Sequence, residues 1–302
     1  MNVDVCSIAF IGLGEAASTI ISGWGDRRNK QIQAFDIKLL ESDMKEEIIS
    51  RASKLNIGLQ FSLKDLIRDA DFIFSTVTAD QALHVAREVS PFLKDKAYFF
   101  DLNSCAPSSK QKSCRSIESN GGSYVDVAVM APVFAKKHLV PLLISGGKAA
   151  KASAVLEKLP MNAKVIDGPV GRASCVKMVR SIMVKGLEAL TAECTLAAVE
   201  ADVLDEVFAS MSDGHPYFDI LTHAMYNFER SLSHGKRRAE ELEEVSKMLD
   251  ELRLTNQMSK AAAIWQKKLG SLEKPSFISD IKTEFHAFAK ELSTDLGNIK
   301  EL

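Results

Sequence analysis

A glycine-containing turn near the start of the chain constrains the fold more than any other feature of the sequence. The apolar run Ser7–Ile11 leads directly into Gly12-Leu13-Gly14-Glu15-Ala16-Ala17, and a segment with helical periodicity follows. This is the pattern G-x-G-x-x-A between a strand and a helix, in which the first glycine permits a tight turn and the second lets a pyrophosphate approach the backbone. The helix N-terminus adds unpaired N–H donors and a partial positive charge. The turn therefore predicts a dinucleotide-binding βαβ unit.

Apolar runs alternate with helical segments through the first half of the chain. The predicted strands are Ser7–Ile11, Ile32–Asp36, Phe72–Val77, Ala97–Leu102, Tyr124–Val129, Val140–Ser145 and Ala163–Ile166. These runs are continuously apolar, which is typical of strands that are buried on both faces of a parallel sheet. The alternation predicts an α/β fold of the Rossmann type with a doubly wound parallel sheet.

The alternation ends near Gly168-Pro169-Val170-Gly171. From Ala173 to about Ala201 the sequence has no proline and a single internal glycine, Gly186, which predicts one long helix. The rest of the chain has only helical periodicity. We therefore predict a dinucleotide-binding domain over residues 1–170 and an all-α domain for substrate binding and dimerisation over residues 171–302, beginning with the long helix.

Charge and cysteine usage exclude several classes of protein. With 38 basic and 40 acidic side chains the net charge is −2, so no basic field would draw the chain to nucleic acid or to a membrane surface. The five cysteines lack metal-ligand spacing, the six histidines form no zinc-binding pattern, and no apolar run is long enough to span a membrane. We expect reduced thiols, no metal, and, since Met1-Asn2-Val3-Asp4 lacks the basic start of a signal peptide, a cytoplasmic location.

The second predicted strand ends at Asp36, about 20 residues after the glycine turn. An acidic side chain here would bind the adenosine ribose hydroxyls and repel a 2′-phosphate, which favours NAD over NADP. Lys38 offers a cation to such a phosphate and therefore favours NADP instead. The alternative interpretation of Asp36 is a turn residue that is exposed to solvent. The predicted cofactor contacts are Gly12, Leu13, Gly14, Glu15, Ala16, Asp36, Val77 and Thr78.

Polar side chains follow another predicted strand in the segment Asp101-Leu102-Asn103-Ser104-Cys105-Ala106-Pro107. Polar groups at the carboxyl end of a strand face the crevice where open α/β sheets bind ligands, although Ser104 is also a plausible cap for the helix that opens at Pro107. With the glycine turn, the segment resembles the D-x-S-T-x-x-P substrate segment of the β-hydroxyacid dehydrogenase family, which includes 3-hydroxyisobutyrate and 6-phosphogluconate dehydrogenases. The resemblance implies that Asn103 and Ser104 contact the substrate.

A second segment, Asp126-Val127-Ala128-Val129-Met130-Ala131-Pro132, resembles the D-A-P-V-S-G-G of the same family, whose backbone grips the substrate carboxylate. Met130, Ala131 and Pro132 replace the serine and glycines here. Because proline has no N–H and alanine restricts the backbone, we expect Met130 and Ala131 to bind the substrate carboxylate differently from the family's serine and glycines. The sequence therefore defines the identity of the substrate less well than the type of reaction.

A third segment, Gly171-Arg172-Ala173-Ser174-Cys175-Val176-Lys177, resembles the G-x-G-x-x-x-K that opens the interdomain helix of the family. The resemblance places Lys177 at the catalytic lysine and Ser181 where an asparagine is common. We expect Ser181 and the neighbouring Arg180 to contact the substrate, because a guanidinium can bind an anion through two hydrogen bonds.

Removing a proton from an alcohol requires a lysine that is neutral part of the time, and therefore a lowered pKa. Helical spacing suggests that Arg180 and Lys185 lower the pKa of Lys177. Two further cations, Arg237 and Arg238, either bind an acidic substrate group or pair with the glutamates that follow them.

The motifs together predict an NAD(P)-dependent oxidoreductase that transfers a hydride between nicotinamide and a small β-hydroxy acid or its semialdehyde, with Lys177 as general acid and base. An imine or ketone reductase on the same scaffold and a catalytically silent dinucleotide-binding regulatory module are the alternatives, and Lys177 argues against both. Obligatory decarboxylation is not expected, because Val184 and Lys185 occupy the positions around the glutamate of the decarboxylating relatives. We expect a homodimer, since a long exposed amphipathic helix needs a partner for its apolar stripe.

Overall fold

The computed structural model describes residues 6–25, 32–214, 219–272 and 281–298. The chain divides into two compact units, Met1–Met178 and Val179–Leu302. The domain boundary between residues 170 and 171 stays a prediction.

An eight-stranded sheet forms the centre of the first unit, in the order β3-β2-β1-β4-β5-β6-β7-β8. Its strands are β1 (Ile8–Ile11), β2 (Ile32–Phe35), β3 (Gly58–Leu59), β4 (Phe72–Ser75), β5 (Tyr98–Asp101), β6 (Ser123–Val129), β7 (Leu142–Ser145) and β8 (Ala163–Val165). The predicted α/β fold is confirmed, with one correction: β6 and β7 are antiparallel. The connection between them contains only a one-turn helix and a 3₁₀ turn, too little helix for the crossover that parallel strands need.

Helices of the first unit cover both faces of the sheet. They are α1 (Glu15–Trp24), α2 (Lys45–Leu55), α3 (Leu63–Ile67), α4 (Ala82–Val89), α5 (Pro107–Glu118), α6 (Val133–Lys136) and α7 (Ala149–Lys158). Neighbouring strand residues enter different cores: Phe74 stacks on Phe10 and Phe100 in one cluster, whereas Ile73 and Phe99 belong to the other. Burial on both faces explains why the central strands β1 and β4 are so apolar.

The strand register brings several loops to one edge of the sheet. Ile11 lies opposite both Phe35 and Ser75, Ser75 lies opposite Asp101, and Asp101 lies opposite Asp126. The chain proceeds from β1 to β2 and β3 in one direction and from β4 onward in the other, so the order reverses between β1 and β4. Such a reversal creates the crevice where open α/β sheets bind ligands.

The described part of the second unit is entirely helical. The long helix α8 (Arg172–Glu200) begins in the first unit and continues into the second, followed by α9 (Leu204–Gly214), α10 (Ile220–Glu251), α11 (Gln257–Leu269) and α12 (Ile281–Asn298). The predicted long helix and all-α second half are thus confirmed. Helix α10 meets the end of α11 backbone to backbone, because a Cβ on Gly235 would lie 2.8 Å from the Cα of Gly270. Among the described residues, every helix is too short or too polar to cross a membrane.

Candidate functional site

The glycine turn between β1 and α1 is fixed by its neighbours. Gly12 has a φ of +87°, and a Cβ there would lie 2.7 Å from the carbonyl oxygen of Thr76. The N–H of Gly12 donates to the carbonyl of Phe35 at 2.8 Å, and the hydroxyl of Thr76 donates to the carbonyl of Gly12 at 2.8 Å. Both the positive φ and the close approach to the loop after β4 require glycine.

The N-terminus of α1 lies directly after the glycine turn. Gly14 is the N-cap, and no described side chain caps the helix. A Cβ on Gly14 would meet no atom within 4 Å, so the space beside Gly14 is open. Glu15 is exposed, whereas the small side chain of Ala17 is buried where α1 packs on the sheet. Open donors and a side-chain-free position fit the pyrophosphate of a dinucleotide.

Asp36 lies directly after β2 and binds the glycine turn itself. The side chain is 9% exposed, and its carboxylate accepts from the backbone N–H of Leu13 at 2.8 Å and of Lys38 at 3.1 Å. Arg51 of α2 donates to the carbonyl of Leu13 at 2.7 Å. The sequence interpretation missed both contacts with Leu13, since nothing in the local pattern joins these distant segments. Each carboxylate oxygen retains a lone pair, which leaves the ribose role of Asp36 as a prediction.

Val77 and Thr78 follow β4. The side chain of Val77 lies 3.4 Å from the position that a Cβ on Gly12 would take, so Val77 borders the glycine turn. Thr78 is exposed, and its hydroxyl hydrogen-bonds Asp80, which together with Gln81 lowers the pKa of that carboxyl. Only Val77 is thus brought to the turn by its contacts.

Two of the predicted site residues meet directly. The ammonium group of Lys177, on the first turns of α8, donates to the hydroxyl of Ser104, in the loop after β5, at 2.5 Å. Both residues are half-buried. The fold of the first unit therefore brings into contact an amine and a hydroxyl that are distant in sequence.

Asn103 has a different environment from Ser104. It is 4% exposed, and its amide donates to the hydroxyl of Ser75 at 2.9 Å and to the carboxylate of Asp101 at 2.8 Å. The amide oxygen is buried and has no hydrogen-bond partner in the described structure. These bonds fix the loop that carries Ser104.

Met130 and Ala131 are half-buried after β6. The N–H of Met130 donates to the carbonyl of Pro141 at 2.9 Å, which extends the antiparallel pairing of β6 and β7. This N–H is not available to a substrate carboxylate, so a contact from Met130 would come from its side chain.

Beneath these loops lies a buried polar network that the sequence did not predict. The carboxylate of Asp126 accepts from the N–H groups of Gly171 at 3.1 Å and Ser174 at 3.2 Å, and from the hydroxyl of Ser174 at 2.5 Å. Asp126 therefore caps the start of α8. The fully buried Lys110 lies 2.9 Å from the carboxylate of Asp101 and 3.6 Å from that of Asp126.

The cations predicted on α8 and α10 lie in the second unit. Lys185 is 3% exposed and donates to Glu241 at 2.5 Å. Burial lowers the pKa of Lys185, although Glu241 opposes this shift. Arg237 pairs with Glu241 at 3.3 Å, as the pairing interpretation predicted, whereas Arg238 forms a buried ion pair with Glu188 of α8. The effect of Lys185 on Lys177 stays a prediction.

The remaining candidates on α8 differ in exposure. Arg180 is exposed and Ser181 is half-buried, and both belong to the second unit. In the described part of the chain, no three His, Cys, Asp or Glu side chains come close enough together to hold a metal ion. All five cysteines lie within the described residues, and none of them forms a disulfide bond.

Sequence profiles of two families match the chain. The family described as NADP oxidoreductase coenzyme F420-dependent matches residues 7–98, which include the glycine turn and Asp36. A domain of unknown function, DUF1932, matches residues 198–269 in the second unit.

Solved structures match the chain over nearly its whole length. A conserved hypothetical protein from Sinorhizobium meliloti is 32% identical, with a TM-score of 0.74 and 96% of each chain covered. A conserved protein of unknown function, reported as structurally similar to 3-hydroxyacid dehydrogenases, is 25% identical, with a TM-score of 0.67 and coverage of 94% of this chain and 99% of its own. The 3-hydroxyisobutyrate dehydrogenase of Mycobacterium tuberculosis, solved with L-serine, is 15% identical and has a TM-score of 0.68 over 98% of this chain and 99% of its own, which shows a common fold.

Proposed function

Because the chain belongs to the same family as the conserved hypothetical protein from Sinorhizobium meliloti and resembles the β-hydroxyacid dehydrogenases in motifs and fold, we propose that it is an NAD(P)-dependent oxidoreductase. The reaction transfers a hydride between nicotinamide and a small β-hydroxy acid or its semialdehyde. The observation that carries the proposal is the 2.5 Å contact between the amine of Lys177 and the hydroxyl of Ser104.

The residues around the glycine turn fit a dinucleotide. Gly12, Gly14 and the open N-terminus of α1 would hold the pyrophosphate, with Val77 beside them. Asp36, fixed by the N–H of Leu13, would bind the ribose hydroxyls, and its negative charge favours NAD over NADP. When bound, the nicotinamide supplies the acceptor or donor of the hydride.

Lys177 performs the proton transfer. As a neutral amine, Lys177 accepts the proton of the substrate hydroxyl, and as an ammonium group it returns the proton in the reverse direction. The hydroxyl of Ser104 accepts a hydrogen bond from the amine and would orient it toward the substrate. Arg180 and Ser181 on α8 and the loop at Met130 and Ala131 would bind the acidic group of the substrate, with Asn103 supporting the loop of Ser104.

The direct test combines a substrate screen with one substitution. Hydroxy acids are mixed with NAD or NADP, and absorbance of the reduced nicotinamide is followed for the wild type, for Lys177→Met and for the exposed-lysine control Lys164→Met. We expect turnover by the wild type and the control, and a loss of about 10²–10⁴-fold in Lys177→Met without loss of cofactor-induced thermal stabilisation.

Two results would contradict the proposal. Thermal stabilisation by cofactor without turnover of any hydroxy acid would indicate a silent dinucleotide-binding module. Turnover of imines or ketones that survives in Lys177→Met would indicate the reductase alternative.

We also infer that the protein is a homodimer. Helix α8 exposes Val179, Met183, Leu187 and Leu190 along one stripe, with Met183 64% exposed. Such a stripe on a soluble helix needs a partner surface. Light scattering of Met183→Glu is expected to give the mass of a monomer, whereas the control Leu40→Glu, at another exposed leucine, keeps the wild-type mass. A monomeric wild type would overturn this inference.

A further inference from the structure

We propose that Lys110 is a positioning residue for the Lys177–Ser104 pair: its buried ammonium group joins the loop that carries Ser104 to the helix start that carries Lys177. The inference deepens the proposed function and rests on it for its kinetic readout. No described lysine or arginine of the first unit other than Lys110 is buried.

The surroundings of Lys110 keep it charged. Lys110 lies on α5 with 0% exposure, and its ammonium group donates to the backbone carbonyl of Asp101 at 2.6 Å. Burial lowers the pKa of Lys110, but Asp101, with smaller contributions from Cys105 and Asp126, outweighs burial and holds the pKa above its ordinary value. A buried cation between two carboxylates compensates charges that face each other on neighbouring strands.

The Asp101 side of this bridge fixes the loop of Ser104. The carboxylate of Asp101 accepts from the N–H of Asn103 at 3.0 Å and from its side-chain amide at 2.8 Å. Its second oxygen accepts from the hydroxyl of Tyr124 at 2.6 Å, and burial raises the pKa of Tyr124 so that this donor keeps its proton. The backbone immediately before Ser104 is therefore held by Asp101.

The Asp126 side of the bridge fixes the start of α8. Asp126 accepts from the backbone N–H groups of Gly171 and Ser174, and Lys177 lies one helical turn beyond Ser174. Ser145 strengthens the cap, because its hydroxyl donates to Asp126 at 2.9 Å and accepts from the N–H of Ala173 at 3.0 Å. Movement of Asp126 would therefore carry Lys177 with it.

Removal of the Lys110 charge would leave two buried carboxylates on adjacent strands. One of them would take up a proton or turn away, because unpaired buried charges are costly. Either response weakens the bonds to Asn103 or to the start of α8. The distance between Lys177 and Ser104 would then no longer be fixed.

The test compares Lys110→Met with Lys112→Met, which removes an exposed lysine from the same helix. In Lys110→Met we expect kcat to fall about 100-fold, since a misplacement of about an ångström costs that much. The KM for NAD is expected to stay within about twofold of the wild-type value. The glycine turn that would hold the cofactor is surrounded by β1, β2 and the loop after β4, whereas Asp101 and Asp126 lie on β5 and β6. Lys112→Met is expected to match the wild type.

The protonation of Lys177 gives a readout that is independent of turnover. The pH dependence of its acetylation, followed by mass spectrometry, is expected to shift in Lys110→Met and to stay unchanged in Lys112→Met. If the wild type turns over no hydroxy acid, the proposed function fails while this shift still decides the positioning role. A folded Lys110→Met with an unchanged kcat or, where there is no turnover, an unchanged acetylation profile would overturn the inference.

A milder variant covers the case in which Lys110→Met does not fold. Ser174→Ala removes the hydroxyl bond to Asp126 and leaves the buried charges in place. We expect kcat to fall about tenfold with an unchanged KM for NAD, and the acetylation profile of Lys177 to shift. Wild-type values for both kcat and that profile would overturn the inference.

Discussion

Both units of the protein bury charged side chains, but the charges have different partners. In the first unit, Asp101 and Asp126 bond backbone groups as well as Lys110, so they define where a loop and a helix begin. In the second unit, Lys185 pairs with the side chain of Glu241 and thereby joins α8 to α10. Charges that bond the backbone set positions, whereas charges that pair with other side chains link elements that apolar contacts could also link.

The largest expected effect is a difference in the free energy of unfolding between variants of the two networks. Replacing Lys110 and Asp126 together by Met and Leu should cost at least about 3 kcal/mol of the free energy of unfolding, because the N–H groups of Gly171 and Ser174 lose their acceptor. Replacing Lys185 and Glu241 together by Met and Leu should change the free energy of unfolding by about 1 kcal/mol or less, or increase it. Urea unfolding of both double variants measures the difference, and equal losses would remove the distinction.

A smaller effect is expected where α10 meets α11. Gly235→Ala should cost about 1–3 kcal/mol, because the new Cβ would lie 2.2 Å from the carbonyl oxygen of Gln266 and neither backbone can move freely. The matched control is Gly186→Ala in α8, where a Cβ meets nothing within 4 Å and the helix should gain about 0.5–1 kcal/mol. Thermal unfolding of both variants distinguishes the two cases. A Gly235→Ala variant with wild-type stability would show that α10 and α11 move apart readily.

The smallest expected effect is a pH dependence in the second unit. Because the pKa of Lys185 is lowered in the folded protein, the unfolded chain binds more protons in the window below 10.5. Stability from this group should therefore rise with pH through that window. The difference in free energy of unfolding between wild type and Lys185→Met should increase from neutral to alkaline pH, and a difference that falls with pH would contradict the assignment.

The fold was predictable where local pattern decides structure. Each run that the sequence marks as a strand forms one. The central strands β1 and β4 are the clearest cases, because every residue in them is buried. β3 has only two residues and α3 only five, so neither carries a periodicity to detect. The antiparallel β7 was missed because strand direction depends on how much helix fills the connection.

The motifs singled out candidate site residues, but they did not indicate the buried side chains that hold those residues in place. The resemblance to β-hydroxyacid dehydrogenases brought out Lys177 and Ser104, which the fold places in contact. A lysine on a helix is usually exposed, so Lys110 gives no local sign of burial. Its environment arises only when the register sets Asp101 opposite Asp126. For the same reason, the contact between Asp36 and Leu13 could not be predicted from the sequence.

In the proposed reaction, the amine of Lys177 exchanges the proton of the substrate hydroxyl. Chemical rescue tests it most directly: Lys177→Ala is assayed with the best hydroxy acid and NAD while methylamine is added. We expect a rate lowered by about 10²–10⁴-fold that rises in proportion to the concentration of free amine. A Lys177→Ala enzyme that works at the wild-type rate without added amine would contradict it.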